Sequence, residues 1–134
     1  MIRHGAQMAF AYARATVPRV GVTLRKSYGG AYIVMDSKRM GNDLALAWPC
    51  SEIAVMGAKG AVEILNRGIA EEDRAALEAA YEERLLNPYI AADRGLIDAV
   101  IDPSETRSVI AAALAALDDK REHFQPRGHD NTPL

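Results

Sequence analysis

Arg19-Val20-Gly21-Val22-Thr23-Leu24-Arg25, followed by Lys26-Ser27-Tyr28-Gly29-Gly30-Ala31-Tyr32, is the stretch that decides the fold. Val20, Val22 and Leu24 alternate with smaller or polar residues, the two-residue period of a strand. Arg19 to Arg25 therefore reads as a strand. Ser27 to Ala31 reads as a turn of small residues, and Ala31 to Met40 as a short helix stopped at Gly41. A strand feeding a helix through a Gly-rich turn is a unit of α/β architecture.

Upstream, Ala6 to Ala15 is rich in helix formers, and Pro18 ends that helix. Downstream, Leu44 to Trp48 and Ile53 to Met56 are short apolar runs, interrupted by Pro49 and closed by Gly57. Such runs suit strands buried on both faces. Ala61 to Asn66 is helical. Glu71 to Leu86 is a longer helix, with acids in its first turn and Arg84 near its end, as the helix dipole favours. Ala75, Leu77, Ala80, Tyr81 and Leu85 supply its apolar face. After Asn87-Pro88 come a short helix, Tyr89 to Arg94, a strand, Leu96 to Ile101, and a last helix from Ser104 or Glu105 to about Asp118. Residues 1–120 form the folded part, and 121–134 an extended polar tail.

The 134 residues are 49% hydrophobic and 25% charged. These are ordinary values for one domain. A net charge of −2 leaves no basic footprint for nucleic acid or an anionic membrane. No apolar run reaches the length of a membrane span, and the first residues lack a signal-peptide core. With one cysteine, Cys50, an internal disulfide and a Cys-rich zinc site are excluded. The expectation is a soluble, cytoplasmic protein that binds no metal.

The chemistry centres on Tyr28-Gly29-Gly30-Ala31. N–H groups at a helix start are unpaired and lie at the positive end of its dipole. Such a turn can hold a developing oxyanion; a tight connection with nothing bound fits the same pattern. Met56-Gly57-Ala58-Lys59-Gly60-Ala61 repeats the design but lacks the spacing of a phosphate-binding loop, so packing explains it better. His4, His123 and His129 have no metal-site spacing and read as surface residues. Cys50 reads as a buried, inert thiol, and Met35, Met40 and Met56 as core filler. Lys38 and Arg39 read as solvated charges. Tyr28 and Tyr32 flank the turn and can line a pocket there.

Arg25-Lys26-Ser27-Tyr28-Gly29-Gly30-Ala31-Tyr32 resembles the biotin-side loop of the carboxyltransferase β subunit of biotin-dependent acyl-CoA carboxylases, of the propionyl-CoA and acetyl-CoA type. The resemblance continues through Ala47-Trp48-Pro49, Glu52-Ile53-Ala54-Val55-Met56-Gly57-Ala58, Asn87-Pro88-Tyr89, Ala91-Ala92-Asp93-Arg94-Gly95 and Ile101-Asp102-Pro103. It implies a crotonase-like fold of repeated ββα units, of which this chain is a partial C-terminal, biotin-side domain. It implies backbone N–H groups of Gly30 and Ala31 as an oxyanion hole for biotin, with Tyr28, Gly29, Tyr32 and Ile33 lining the substrate. It also implies biotin on a separate carrier protein, acyl-CoA and carboxybiotin as substrates, and a homo-oligomer. It further implies an N-terminal carboxyltransferase domain as partner, which holds acyl-CoA and the second oxyanion hole, and the chain alone is expected to be inactive.

Two features depart from that family. Ile33 stands where propionyl-selective members often carry Asp, and Gly68 to Glu72 is shortened. Two other readings stand beside the carboxyltransferase: a non-catalytic, self-associating assembly module of the same fold, and an independent crotonase-type acyl-CoA enzyme.

Overall fold

The computed structural model describes residues 2–68 and 70–125. Helix α1 spans Ile2–Arg14, starting earlier than the helix formers alone suggest. The chain then enters β1, Val20–Thr23. At Leu24-Arg25 it turns a corner into a second strand, β2, Lys26–Tyr28, and passes into α2, Gly29–Val34. The same course repeats with β3, Leu44–Ala47, β4, Glu52–Ala54, and α3, Ala58–Leu65. Helices α4, Glu71–Leu85, and α5, Pro88–Asp93, lead to β5, Ala99–Val100, and to α6, Thr106–Ala116.

Each of the first two units gives one strand to each of two parallel sheets. One sheet has the order β1-β3-β5; the other pairs β2 with β4. Val20 faces Leu44 and Thr23 faces Ala47 in the first. Lys26 faces Glu52 and Tyr28 faces Ala54 in the second. The units stay bonded around the corner: Trp48 N–H donates to the Thr23 carbonyl at 3.0 Å, and Glu52 N–H to that of Arg25 at 2.6 Å.

This corner corrects the sequence reading in two places. The strand expected over Arg19–Arg25 stops at Thr23, and the turn expected over Ser27–Ala31 begins inside β2. The helix expected over Ala31–Met40 is likewise divided, into α2 and a 3-10 turn at Lys38–Met40. Asp36 sits between them with φ +54°, a left-handed conformation that ends α2. The strand expected over Leu96–Ile101 is only two residues long.

The core lies behind β3 and β4. Ala45, Ala47, Ile53, Ala91 and Ile97 form one buried cluster, with Tyr32, Leu96 and Val100 packed on it. Alanines on β3 let α5 and Ile97 approach closely. Leu46, on the other face of β3, is fully buried, which stabilises by about 1.5–3 kcal/mol. Only β3 meets the expectation of burial on both faces; β1 is half-buried throughout. Helix α4 has no buried residue, so its expected apolar face is not a core face.

Further corrections concern single residues. Met35 is exposed rather than core filler, and Met56 is also exposed. Cys50 is exposed, not buried. Lys38 is not free in solvent: its Nζ lies 2.7 Å from Asp98 Oδ1. His4 and His123 are on the surface as expected, and His129 lies outside the described residues.

Candidate functional site

The Gly-rich turn is formed where β2 runs into α2. Gly29 has φ +59°, which an L side chain adopts only with strain. Space is tight there too: a Cβ would stand 3.3 Å from the Val55 carbonyl oxygen. Gly30 is the opposite case. It is exposed, and a Cβ there would meet nothing within 4 Å. The N–H groups of Gly29, Gly30 and Ala31 belong to the first turn of α2 and have no carbonyl a turn earlier to bond. The turn therefore offers adjacent donors on a surface open to a ligand, at the positive end of a short helix.

Tyr28 closes the back of this turn. Its hydroxyl donates to Glu52 Oε2 across the β2–β4 pair. Lys26 Nζ is 3.8 Å from the same carboxylate oxygen and 5.7 Å from the Tyr28 ring centroid. The ring lies over Gly57, where a Cβ would stand 3.3 Å from Tyr28 Cε2. The second small-residue turn, before α3, thus has the packing role expected of it.

On the inner side of α2 is a cavity of about 400 Å³. Val22, Leu24, Tyr32, Leu46, Leu96 and Ile97 contribute to its wall, with Asn42, Asp36 and Lys38 as polar members. Two buried polar atoms of residues that line it, the Tyr32 hydroxyl and Asn42 Oδ1, have no hydrogen-bond partner among the described residues. Burial pushes the Tyr32 phenol up, against the lowering charge of Arg39.

The sequence candidates therefore divide by face. Tyr28, Gly29, Gly30 and Ala31 are contiguous at the mouth of α2, and Ile33 is exposed on the same helix. Tyr32 points the other way, onto the core cluster and the cavity. None of Tyr28, Gly29, Gly30, Ala31 and Ile33 lines that cavity.

Several polar residues that organise this region carry no sequence signal. Arg19 Nη1 donates to the Tyr12 carbonyl at 2.7 Å and to Asp36 Oδ1 at 2.6 Å, and its Nη2 to the Gly41 carbonyl. Burial pushes the Asp36 carboxyl up despite this guanidinium. Asn42 Nδ2 donates to the Asp36 carbonyl at 2.9 Å. Asp98 Oδ2 accepts from the Ala45 N–H at 2.8 Å. Burial works against ionisation of Asp98, but this N–H and Lys38 hold its carboxyl below the usual value. Among the described residues no group of three or more His, Cys, Asp or Glu is placed to hold a metal ion. Nor is any helix among them long and apolar enough to cross a membrane.

Two parallel sheets built from successive ββα units, with a donor-lined glycine turn at a helix mouth, place the molecule in the crotonase-like class. The chain belongs to the carboxyl transferase domain family, whose model matches residues 1–132. It is 54% identical over its full length to the propionyl-CoA carboxylase beta chain of Saccharopolyspora erythraea, covering 26% of that protein. It is 49% identical, again over its full length, to the methylmalonyl-CoA decarboxylase subunit alpha of Veillonella parvula, of which it covers 26%. Among solved structures, transcarboxylase 12S with methylmalonyl-CoA and methylmalonic acid bound superposes with a TM-score of 0.93 at 46% identity. That match covers 99% of this chain and 26% of the other. The chain thus spans about a quarter of the length of the curated relatives it matches.

Proposed function

We propose that this chain is the biotin-side part of an acyl-CoA carboxyltransferase. The observation that carries the reading is the open donor turn at Gly30, in a chain of the carboxyl transferase family. Biotin, when bound, supplies the carboxyl group and takes up negative charge on its ureido oxygen. The residues present fit that group: adjacent N–H donors suit a charged planar carbonyl, and the space in front of Gly30 is clear. Gly30 and Ala31 N–H groups hold the oxygen. Gly29 sets their direction through its left-handed backbone. Tyr28, Gly29, Tyr32 and Ile33 flank them, Tyr32 from the inner side of α2. No side-chain nucleophile is required, because the donors act on charge as it develops.

The acyl-CoA side, with its own oxyanion hole, belongs to an N-terminal carboxyltransferase domain. Biotin arrives on a separate carrier protein. The complete assembly is a homo-oligomer of such units in the cytoplasm; the similar transcarboxylase 12S is itself a hexamer. The acyl substrate stays open between acetyl, propionyl and longer chains, since Ile33 departs from the propionyl-type Asp.

Alone, the chain should show only background transfer from carboxylated biotin to acetyl-, propionyl- or butyryl-CoA; robust turnover would sink the proposal. With an acyl-CoA-binding domain and a carboxylated carrier supplied, transfer should proceed. In that mixture Ala31→Pro removes one donor within the first helical turn, where proline is tolerated. Transfer should fall by about 10²–10³-fold, with acyl-CoA binding unchanged and the fold verified by circular dichroism. A folded Ala31→Pro chain with unimpaired transfer would reduce the turn to a structural connection.

A further inference from the structure

We infer that Glu52 and Gly57 are positioning residues for the donor turn, acting through Tyr28. The inference rests on the reading of Gly30 and Ala31 as donors to the biotin oxygen. It concerns residues that belong to the next ββα unit and stand outside the turn itself.

The turn has little of its own to hold it. β2 is three residues long and pairs in a sheet of two strands, an assembly too small to be rigid unaided. Behind it, beside the packing of Tyr32 on the core cluster, stand β4 and its connection to α3. Lys26 and Glu52 are directly opposite in register. Tyr28 is two residues beyond Lys26 and so on the same face of the strand. Its hydroxyl donates to Glu52 Oε2, which ties the far end of the ring to β4. Its near edge rests on the bare backbone of Gly57. Gly29, next in the chain, backs onto the carbonyl of Val55. One hydrogen bond, at residue 52, and two close backbone approaches, at residues 55 and 57, therefore bear on the residue that precedes the donors and the residue that aims them.

The chemistry of each attachment is specific. Glu52 must accept a hydrogen bond, which Gln can also do and Ala cannot. Gly57 must present no side chain, since a methyl at 3.3 Å would make the ring give by a few tenths of an ångström. A shift of that kind tilts Tyr28 and carries the Gly29–Ala31 peptides with it. Placement matters at such a site, because a misplacement of about 1 Å can cost on the order of 100-fold in rate.

The test uses the whole chain, labelled with nitrogen-15, with biotin methyl ester as the probe. In the free chain, Glu52→Ala and Tyr28→Phe should move the amide resonances of Gly29, Gly30 and Ala31 while leaving that of Leu46 in place. Glu52→Gln should leave them near their original positions, and Gly57→Ala should move them again. Probe affinity should fall by about tenfold in Glu52→Ala, within the cost of a misplaced donor, and recover in Glu52→Gln. Unmoved amides in both Glu52→Ala and Tyr28→Phe would overturn the inference. So would a Glu52→Gln chain displaced as far as Glu52→Ala, because the hydrogen bond would then be irrelevant. If the amides respond to Glu52 but the probe leaves Gly30 and Ala31 unperturbed in the unaltered chain, the positioning is upheld and the biotin reading fails.

Discussion

Gly29 and Gly30 are neighbours with opposite demands. Gly29 is needed by the fold: an Ala there would adopt an unfavourable left-handed backbone, at about 1–2 kcal/mol, and would press on the Val55 carbonyl. Gly29→Ala should therefore lower the urea midpoint measurably. Gly30 is needed only by the ligand. Its surroundings are open, so Gly30→Leu should leave the midpoint near that of the unaltered chain, since Leu is a good helix former. The same substitution should abolish amide perturbation by a biotin probe, because the side chain fills the approach. A Gly30→Leu chain that still binds the probe would move the site elsewhere. Both glycines are visible in the sequence as a pair, but the pair does not tell them apart. Their difference lies in the left-handed backbone of Gly29 and in its approach to Val55, which is contributed by the next unit.

At the scale of elements, charged clasps join segments far apart in the chain. Arg19 ties α1 to the 36–41 loop through Tyr12, Asp36 and Gly41. Arg19→Ala removes one partner of a buried pair, a change that costs about 3–5 kcal/mol, to be read from urea unfolding. Lys120, beyond α6, reaches back to Asp43 Oδ2 at 2.9 Å and to the Val17 carbonyl at 3.3 Å. Burial opposes ionisation of Asp43, yet the Lys120 hydrogen bond, the Arg19 N–H and both charges hold its carboxyl below the usual 3.8. The Asp43 hydrogen bond raises Lys120 above its usual 10.5. Asp43 stabilises the fold above its unfolded pKa, and that contribution is lost as pH falls through the lower folded value. Lys120 contributes below 10.5 and loses its share as pH rises through the higher folded value. Unfolding followed from neutral pH into acid should show a steeper fall for the unaltered chain than for Asp43→Asn; identical acid limbs would remove Asp43 from the balance. These clasps explain what the sequence withholds. Helix α4 is legible from its acids and Arg84, and α5 from Asn87-Pro88, whose Asn caps the Ile90 N–H, because local chemistry determines them. β2 is not legible: Lys26-Ser27-Tyr28 has no apolar alternation, and it is a strand only because Glu52–Ala54 lies beside it. The two-residue β5 depends likewise on β3.

Over the whole molecule, the same repetition that builds the sheets leaves them open. Among the described residues strand order follows chain order in both, so β1 and β2 are edge strands there. Parallel sheets are ordinarily covered on both faces, yet β1 is half-buried along its length. Leu24 at its end is 49% exposed, and Val55 and Leu65 are 66% and 69% exposed. An unpaired edge beside apolar side chains favours association. This supports the assembly-module reading as well as the carboxyltransferase one, since both require contact with other subunits. The chain should therefore self-associate, with a sedimentation coefficient that rises with concentration. Leu24→Lys introduces a charge at the end of the edge strand, a device that blunts such edges. It should shift the equilibrium toward monomer without lowering the urea midpoint, because Leu24 is not a core residue. Met8 and Tyr12 on α1 offer a rival surface. Met8→Lys separates the two cases: loss of association there, with Leu24→Lys unaffected, would transfer the contact to α1. A strict monomer at high concentration would exclude both surfaces as sites of self-association.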